Sequence, residues 1–135
     1  MAWQFTSQQP IYQQIVHEIS RRIFSGMYPK GEKLPSVREL AVTAAVNPNT
    51  MQRALSELEG LGLVCTQRTS GRTVTTDQSA IDAARREWAE RLADAFVEQM
   101  DAIGLEAGEV FDLLNQRLGG QNSKEGNDGN DGNDA

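Results

Sequence analysis

Three side chains that can recognise the edges of DNA bases lie close together in the sequence, at Asn49, Gln52 and Arg53. Asparagine and glutamine form paired hydrogen bonds with adenine, and arginine pairs with guanine or holds a phosphate. Spacings of three and four residues bring side chains to one face of a helix. Together they could recognise bases in the major groove of duplex DNA. The alternative is that they form the solvated side of an ordinary amphipathic helix.

The segment that carries these residues has the start and stop signals of a helix. Asn47 is a favoured N-cap, and Pro48 suits the first helical position because its missing N–H would be unpaired there anyway. Glycines at 60 and 62 end the segment after about Glu59. Its apolar residues recur with helical period on the side opposite Asn49, namely Met51, Ala54, Leu55 and Leu58.

Two helices precede this segment. Apolar residues at three- and four-residue spacing predict the first helix over residues 10–24. Ser36 and Glu39 form a capping box that begins a second, short helix. Arg38 follows this cap, where its guanidinium can reach a phosphate backbone. The alternative for Arg38 is an ion pair with a carboxylate such as Glu39 or Glu57.

Residues 63–68 and 72–75 are rich in residues that favour strands, and they flank a turn in which Gly71 takes a positive φ. The turn region contains no acid and is suited to contact phosphates or a minor groove through Arg68, Ser70, Gly71 and Arg72. An ordinary solvated turn is the alternative. The order of helix, short helix, helix and hairpin is that of a winged helix-turn-helix over residues 1–76.

Residues 77–118 return to helical periodicity, with a long amphipathic helix, a break at Gly104 and a shorter second helix. The predicted fold class is therefore mainly α with a small β-hairpin wing, followed by a two-helix C-terminal dimerisation segment. Large apolar side chains are favoured at interface cores, and the candidates here are Trp88, Leu92, Phe96 and Leu114. The alternative is that this apolar stripe packs only against its own winged helix.

Residues 119–135 contain three Gly-Asn-Asp repeats and almost no apolar side chain, so we expect a disordered acidic tail. The repeats lack the spacing and the terminal glutamate of an EF-hand loop, which argues against a calcium site.

The net charge of the 135-residue chain is −6, which by itself argues against binding to nucleic acid. The charge is, however, distributed unevenly along the chain. Residues 1–76 carry eight bases and five acids, whereas residues 77–135 carry five bases and fourteen acids. This asymmetry is typical of a basic module joined to an acidic segment. A winged helix that binds proteins and not DNA is the rival interpretation of the overall negative charge.

Catalysis finds little support, because one histidine, His17, and one cysteine, Cys65, supply neither a zinc ligand set nor a Ser-His-Asp arrangement. We expect His17 to be a helix-surface residue and Cys65 a small buried apolar one. No enzyme activity, metal or cofactor is predicted. The sequence has neither a secretion signal nor a membrane span, so a cytoplasmic protein is expected.

Three runs of residues together form the pattern of a known protein family. The first is Pro10-Ile11-Tyr12-Gln13-Gln14-Ile15, the second extends from Gly31 to Ala41, and the third extends from Val46 to Glu59 and is followed by Gly62-Leu63-Val64. These runs resemble the YtrA-like branch of the GntR family of bacterial regulators, and the resemblance covers residues 8–76 closely.

This resemblance implies a homodimeric, usually repressing, transcription factor that binds an inverted repeat in double-stranded DNA. It implies that Arg38 contacts a phosphate, that Asn49, Thr50, Gln52 and Arg53 lie at the DNA-facing end of the recognition helix, and that Gly71 lies at the wing tip. The wing departs from the family pattern, because it keeps one glycine and lacks the aromatic residue. A small-molecule effector stays open as a further partner, although the 42 residues before the tail are too few for a separate sensor domain.

Overall fold

The computed structural model describes residues 3–69 and 71–119. Its elements are α1 (Ile11–Phe24), α2 (Val37–Ala44), α3 (Pro48–Gly60), β1 (Val64–Gln67), β2 (Gly71–Val74) and α4 (Gln78–Ala102). A further helix, α5, covers residues 107–119. The predicted fold class is confirmed: in its described part the chain is mainly helical, with one antiparallel hairpin. The predicted tail, apart from Gly119, lies outside the described residues.

The helix starts follow the chemistry of their caps. The Ser36 hydroxyl accepts a hydrogen bond from the Glu39 amide at 3.1 Å, and the Glu39 carboxylate accepts one from the Ser36 amide at 3.2 Å. The Asn47 side chain accepts from the Asn49 amide at 2.7 Å. Each bond satisfies a backbone group that the first helical turn leaves without a partner. Both predicted starts are therefore confirmed.

The turn between α2 and α3 depends on Ala45, whose φ of 59° places it in the left-handed region. Alanine adopts this conformation rarely because its Cβ crowds the backbone. The Val46 amide closes the turn by donating to the Ala41 carbonyl at 3.0 Å. This tight turn sets the direction in which α3 leaves α2.

A third segment, before α2, pairs with the hairpin of β1 and β2. β1 and β2 pair in antiparallel register, with Val64 opposite Val74 and Gln67 opposite Gly71. On the other edge of β2, the Leu34 amide donates to the Arg72 carbonyl at 2.9 Å, and Lys33 forms a bridge with Thr73. The segment before α2 therefore covers the outer edge of the hairpin and ties it to the start of that helix.

One core joins the three helices and the base of the hairpin. Its largest fully buried side chains come from five segments and are Ile15, Ile19, Leu40, Met51, Leu55, Leu58, Leu63 and Val74. Ala44 and Ala54 are also buried, and their small side chains let the helices cross closely. This core fixes the orientation of α3, and therefore which side of α3 reaches solvent.

The chain forms two compact units, Met1–Trp88 and Ala89–Ala135. The first contains the winged helix and the beginning of α4, with Ile81 buried in the core. The second contains, in its described part, the remainder of α4 and α5. Gly104 ends the turn after α4 with a φ of 86°. The functional division at residue 76 stays a prediction.

Candidate nucleic-acid interface

The outer side of α3 carries the predicted base-reading residues in accessible positions. Asn49, Gln52 and Arg53 are exposed, and Thr50 is half-buried. On the opposite side, Met51, Ala54, Leu55 and Leu58 are all 1% exposed or less. The burial of one face holds the other toward solvent, so the structure brings the polar side chains together as the sequence predicted.

Arg53 has a neighbour that the sequence did not reveal. Its guanidinium lies over the ring of Tyr12, 3.8 Å from the centroid. Stacking on an aromatic ring restrains an arginine while leaving its N–H groups able to donate. Tyr12 lies half-buried in the first turn of α1. No local pattern in the sequence signals a contact between residues 41 positions apart.

Arg38 is exposed in the first turn of α2. Within residues 3–69 and 71–119 it forms no ion pair with Glu39 or Glu57, the two acids considered as partners. Glu39 is instead held in the capping box, where the backbone hydrogen bond from Ser36 lowers the pKa of the glutamate. Arg38 therefore presents its positive charge to solvent in the first turn of α2.

The wing carries further exposed polar groups. Arg68 and Thr69 are exposed at the end of β1, and Gly71 has the predicted positive φ, at 82°. Lys33, which was not among the predicted DNA contacts, lies beside this turn. A Cβ atom built on Gly71 would lie 3.7 Å from the Cε of Lys33. Ser70 lies outside the described residues, so its predicted DNA contact stays a prediction.

Arg72, a predicted DNA contact, has a partner inside the protein. Its Nε donates to the Glu59 carboxylate at 2.7 Å, and the Arg72 side chain is only 17% exposed. Glu59 lies in the last turn of α3 and Arg72 lies in β2, so the pair fastens the wing to α3. The hydrogen bond from Arg72 lowers the pKa of Glu59.

Replacing Glu59 by Gln is expected to lower the free energy of unfolding at pH 7 by about 1 kcal/mol, because a charge-assisted hydrogen bond is lost. A carboxylate whose pKa falls on folding contributes stability above its unfolded pKa and loses it as the pH drops through the folded value. The difference between wild type and variant should therefore shrink below about pH 4. Urea denaturation at several pH values measures it.

Glu57→Gln is the matched control for that experiment, since Glu57 is exposed on the same helix. Its effect should be small at every pH. A wild-type advantage over Glu59→Gln that stays constant from pH 7 to pH 3 would show that the charge of Glu59 is not what holds the wing.

Comparison with known proteins identifies the architecture. The sequence model "Bacterial regulatory proteins, gntR family" matches residues 11–74, which span α1 to the end of β2. A GntR family transcriptional regulator from Listeria monocytogenes has a similar structure, with a TM-score of 0.78 and 38% identity over 83% of this chain and 98% of that one. The chain belongs to the GntR family.

This GntR-family regulator is of the YtrA-like type. It is 45% identical over 65 residues to the HTH-type transcriptional repressor YtrA of Bacillus subtilis, a match to 48% of this chain and 50% of that protein. It is 39% identical to the transcriptional regulator YhcF of the same organism, across 81% of this chain and 90% of YhcF. The structure of AraR(DBD) in complex with operator ORX1 matches 56% of this chain and 95% of its own, with a TM-score of 0.51 and 25% identity.

The predicted dimerisation residues of the GntR-family chain have three different environments. Trp88 stacks on His17 of the same chain at 4.8 Å and tilts against Phe24 at 5.8 Å, which agrees with the alternative of packing against its own winged helix. Phe96 and Leu114 line a groove within the second unit. Leu92 is 61% exposed. Their contact with a second subunit stays a prediction.

Two sequence expectations outside the interface were wrong. His17 is not a simple surface residue, because its ring is half-buried against Trp88. Cys65 is exposed and not buried, because in β1 only Val64 is buried and the rest of the strand projects from the core.

Among residues 3–69 and 71–119, no group of three or more His, Cys, Asp or Glu side chains could hold a metal ion. In the same part of the chain, no helix has the length and apolar character needed to cross a membrane.

Proposed function

We propose that this GntR-family transcriptional regulator binds an inverted-repeat operator as a homodimer and represses the genes next to it. The observation that carries the proposal is the exposed polar side of α3, which a buried apolar side holds toward solvent. The names of two relatives support it, since YtrA is a repressor and AraR is complexed with an operator. We propose no catalytic activity and no cofactor.

In the proposed complex α3 enters the major groove. Asn49 and Gln52 pair with adenine, and Arg53 pairs with guanine or a phosphate. Thr50 follows Asn49 in the first turn of α3, and its hydroxyl or methyl group can contact a base edge. The N-terminal amides of α3 and the positive end of its dipole favour a phosphate at the same edge of the site.

Phosphate contacts would fix the register of α3 in the groove. Arg38 reaches the backbone from the first turn of α2, and Arg68 and Gly71 reach it from the wing. Lys33 adds a positive charge on the same side of the hairpin. Arg72 contributes indirectly, by holding the wing against α3 through Glu59. Acting on chromosomal DNA, the protein would work in the cytoplasm.

A homodimer would bring two such helices to two half-sites about 34 Å apart. We assign the contact between subunits to exposed apolar side chains of α4, α5 and the turn between them, with Leu92 as its centre. Ile103 in that turn is 73% exposed, and Leu118 on α5 is 59% exposed. Phe96 and Leu114 would support this surface from within the groove, and Trp88 from its place against α1.

Binding to duplex DNA across a salt series tests the proposal. A protein that neutralises phosphates releases counterions, so the affinity should fall steeply as salt rises. Arg38→Ala should weaken binding to all sequences and reduce the slope of log affinity against log salt by about one. Arg85→Ala serves as control, because Arg85 pairs with Asp82 on α4 at 3.0 Å.

The control variant should bind DNA as the wild type does. An affinity that does not change with salt would exclude phosphate contacts, and it would favour the rival function of a winged helix that binds other proteins.

A further inference from the structure

The second unit contains a groove between the later part of α4 and α5. Its volume is about 640 Å³ and all of its lining residues lie between Ala93 and Leu114. Pockets for small molecules in proteins typically have volumes of about 300 to 1,000 Å³. The two-helix segment is therefore large enough to form a binding site for a small molecule, although it is too short for a separate sensor domain.

The body of the groove is apolar and partly aromatic. Two phenylalanines, Phe96 and Phe111, line it together with aliphatic residues such as Val97, Val110 and Leu114. Phe111 is 65% exposed and Val97 is 59% exposed, so the groove presents apolar surface that the subunit itself does not cover. Aromatic rings bury large areas and attract cations to their faces.

Every ionisable residue that lines the groove is acidic: Asp94, Glu98 and Asp101. They are four and three residues apart on α4, so they share one side of that helix. In the described part of the chain their side chains have neither a hydrogen bond nor an ion pair with another protein group. Residues 89–119 as a whole carry seven carboxylates against two arginines.

We propose that this groove binds a lipophilic organic cation, a molecule with an aromatic or aliphatic body and one positive charge. The body displaces water from the apolar lining, and the charge lies near the carboxylates and the aromatic rings. A lipophilic anion of equal shape would be repelled. A second copy seated groove against groove suits the site less well, because it would bring Asp94, Glu98 and Asp101 of both subunits into apposition, and like charges oppose association.

A ligand in the groove would contact both α4 and α5, the two helices to which we assign the dimer contact. The ligand is then an effector that changes how the two recognition helices are spaced, a consequence that rests on the proposed function. Binding of the cation itself does not depend on DNA.

Tetraphenylphosphonium and tetraphenylborate form a matched pair of probes, since they have the same shape and opposite charge. Isothermal titration calorimetry with the full-length protein, without DNA, is expected to show tetraphenylphosphonium binding at least tenfold more tightly than tetraphenylborate. Equal affinities, or no binding of the cation, would overturn the proposal. Because DNA is absent, this result is independent of the salt series on duplex DNA.

Two variants with equal charge change separate the groove from the general acidity of the chain. Asp94→Asn combined with Asp101→Asn is expected to weaken binding of tetraphenylphosphonium at least tenfold. Glu87→Gln combined with Asp112→Asn also removes two negative charges, but neither residue lines the groove, so binding should be unchanged. Equal losses in both double variants would contradict a specific site.

Phe111→Ser tests the apolar part of the groove and the competing occupant. Because Phe111 is exposed, we expect the variant to fold, and circular dichroism can verify this. We expect it to lose at least fivefold in affinity for tetraphenylphosphonium and to keep the oligomeric state of the wild type in sedimentation. If the wild type does not bind the cation and Phe111→Ser turns a dimer into a monomer, the occupant is a second subunit and the proposal fails.

Discussion

Replacing Leu58 by Ala is expected to lower the free energy of unfolding of the winged helix by about 2 to 5 kcal/mol. Leu58 is fully buried at the centre of the core, and its carbonyl accepts a hydrogen bond from the Leu63 amide at 3.1 Å, where the chain turns from α3 toward the wing. The shorter side chain leaves a cavity that the surrounding helices cannot close completely. Urea denaturation followed by circular dichroism measures the loss.

Leu61→Ala is the matched control for this prediction. Leu61 lies only three residues further along the chain, but it is 50% exposed at the end of α3. Its replacement should cost less than about 1 kcal/mol, because little apolar surface is returned to water. Equal losses from Leu58→Ala and Leu61→Ala would mean that α3 does not pack as described.

The second large effect is expected in DNA binding. Arg53→Ala should weaken binding to the natural operator by about 1 to 3 kcal/mol if Arg53 contacts a base. This corresponds to roughly 5- to 150-fold in affinity. The stability of the folded protein should change little, because the Arg53 side chain is exposed. Fluorescence anisotropy with labelled operator DNA measures the affinity, and an unchanged value would remove Arg53 from the interface.

Tyr12 provides a companion test of how Arg53 is positioned. Tyr12→Leu keeps an apolar side chain on α1 but removes the ring on which the guanidinium stacks, 3.8 Å from its centroid. We expect a smaller loss of operator affinity than from Arg53→Ala. Combining both substitutions should cost no more than Arg53→Ala alone, because Tyr12 acts through Arg53; additive losses would show that the two residues act separately.

The backbone of the site could be predicted because its signals are local. Asn47 and Pro48 start α3, Ser36 and Glu39 start α2, and Gly71 marks the turn of the wing. Each signal works through atoms within three residues in the chain, so sequence spacing contains the necessary geometry. The exposed side of α3 followed from the period of its buried residues.

What could not be predicted depends on contacts between distant parts of the chain. The Arg72–Glu59 pair and the stack of Arg53 on Tyr12 join different elements, so the sequence alone predicted a DNA contact for both arginines. In the structure Arg72 attaches the wing to α3, whereas Arg53 is exposed on α3.

Other differences arise from positions where the fold overrides a residue's usual preference. Ala45 takes a left-handed conformation that would be expected of glycine or asparagine, and the tight turn between α2 and α3 imposes it. Cys65 is exposed because only the base of the wing reaches the core.

A nuclease footprint on the DNA upstream of the protein's own gene tests the central claim most directly. If the outer side of α3 enters a major groove in each of two subunits, the purified protein should protect two half-sites of an inverted repeat, centred about one helical turn apart. Absence of any protected region, at protein concentrations and low salt that favour phosphate contacts, would contradict it.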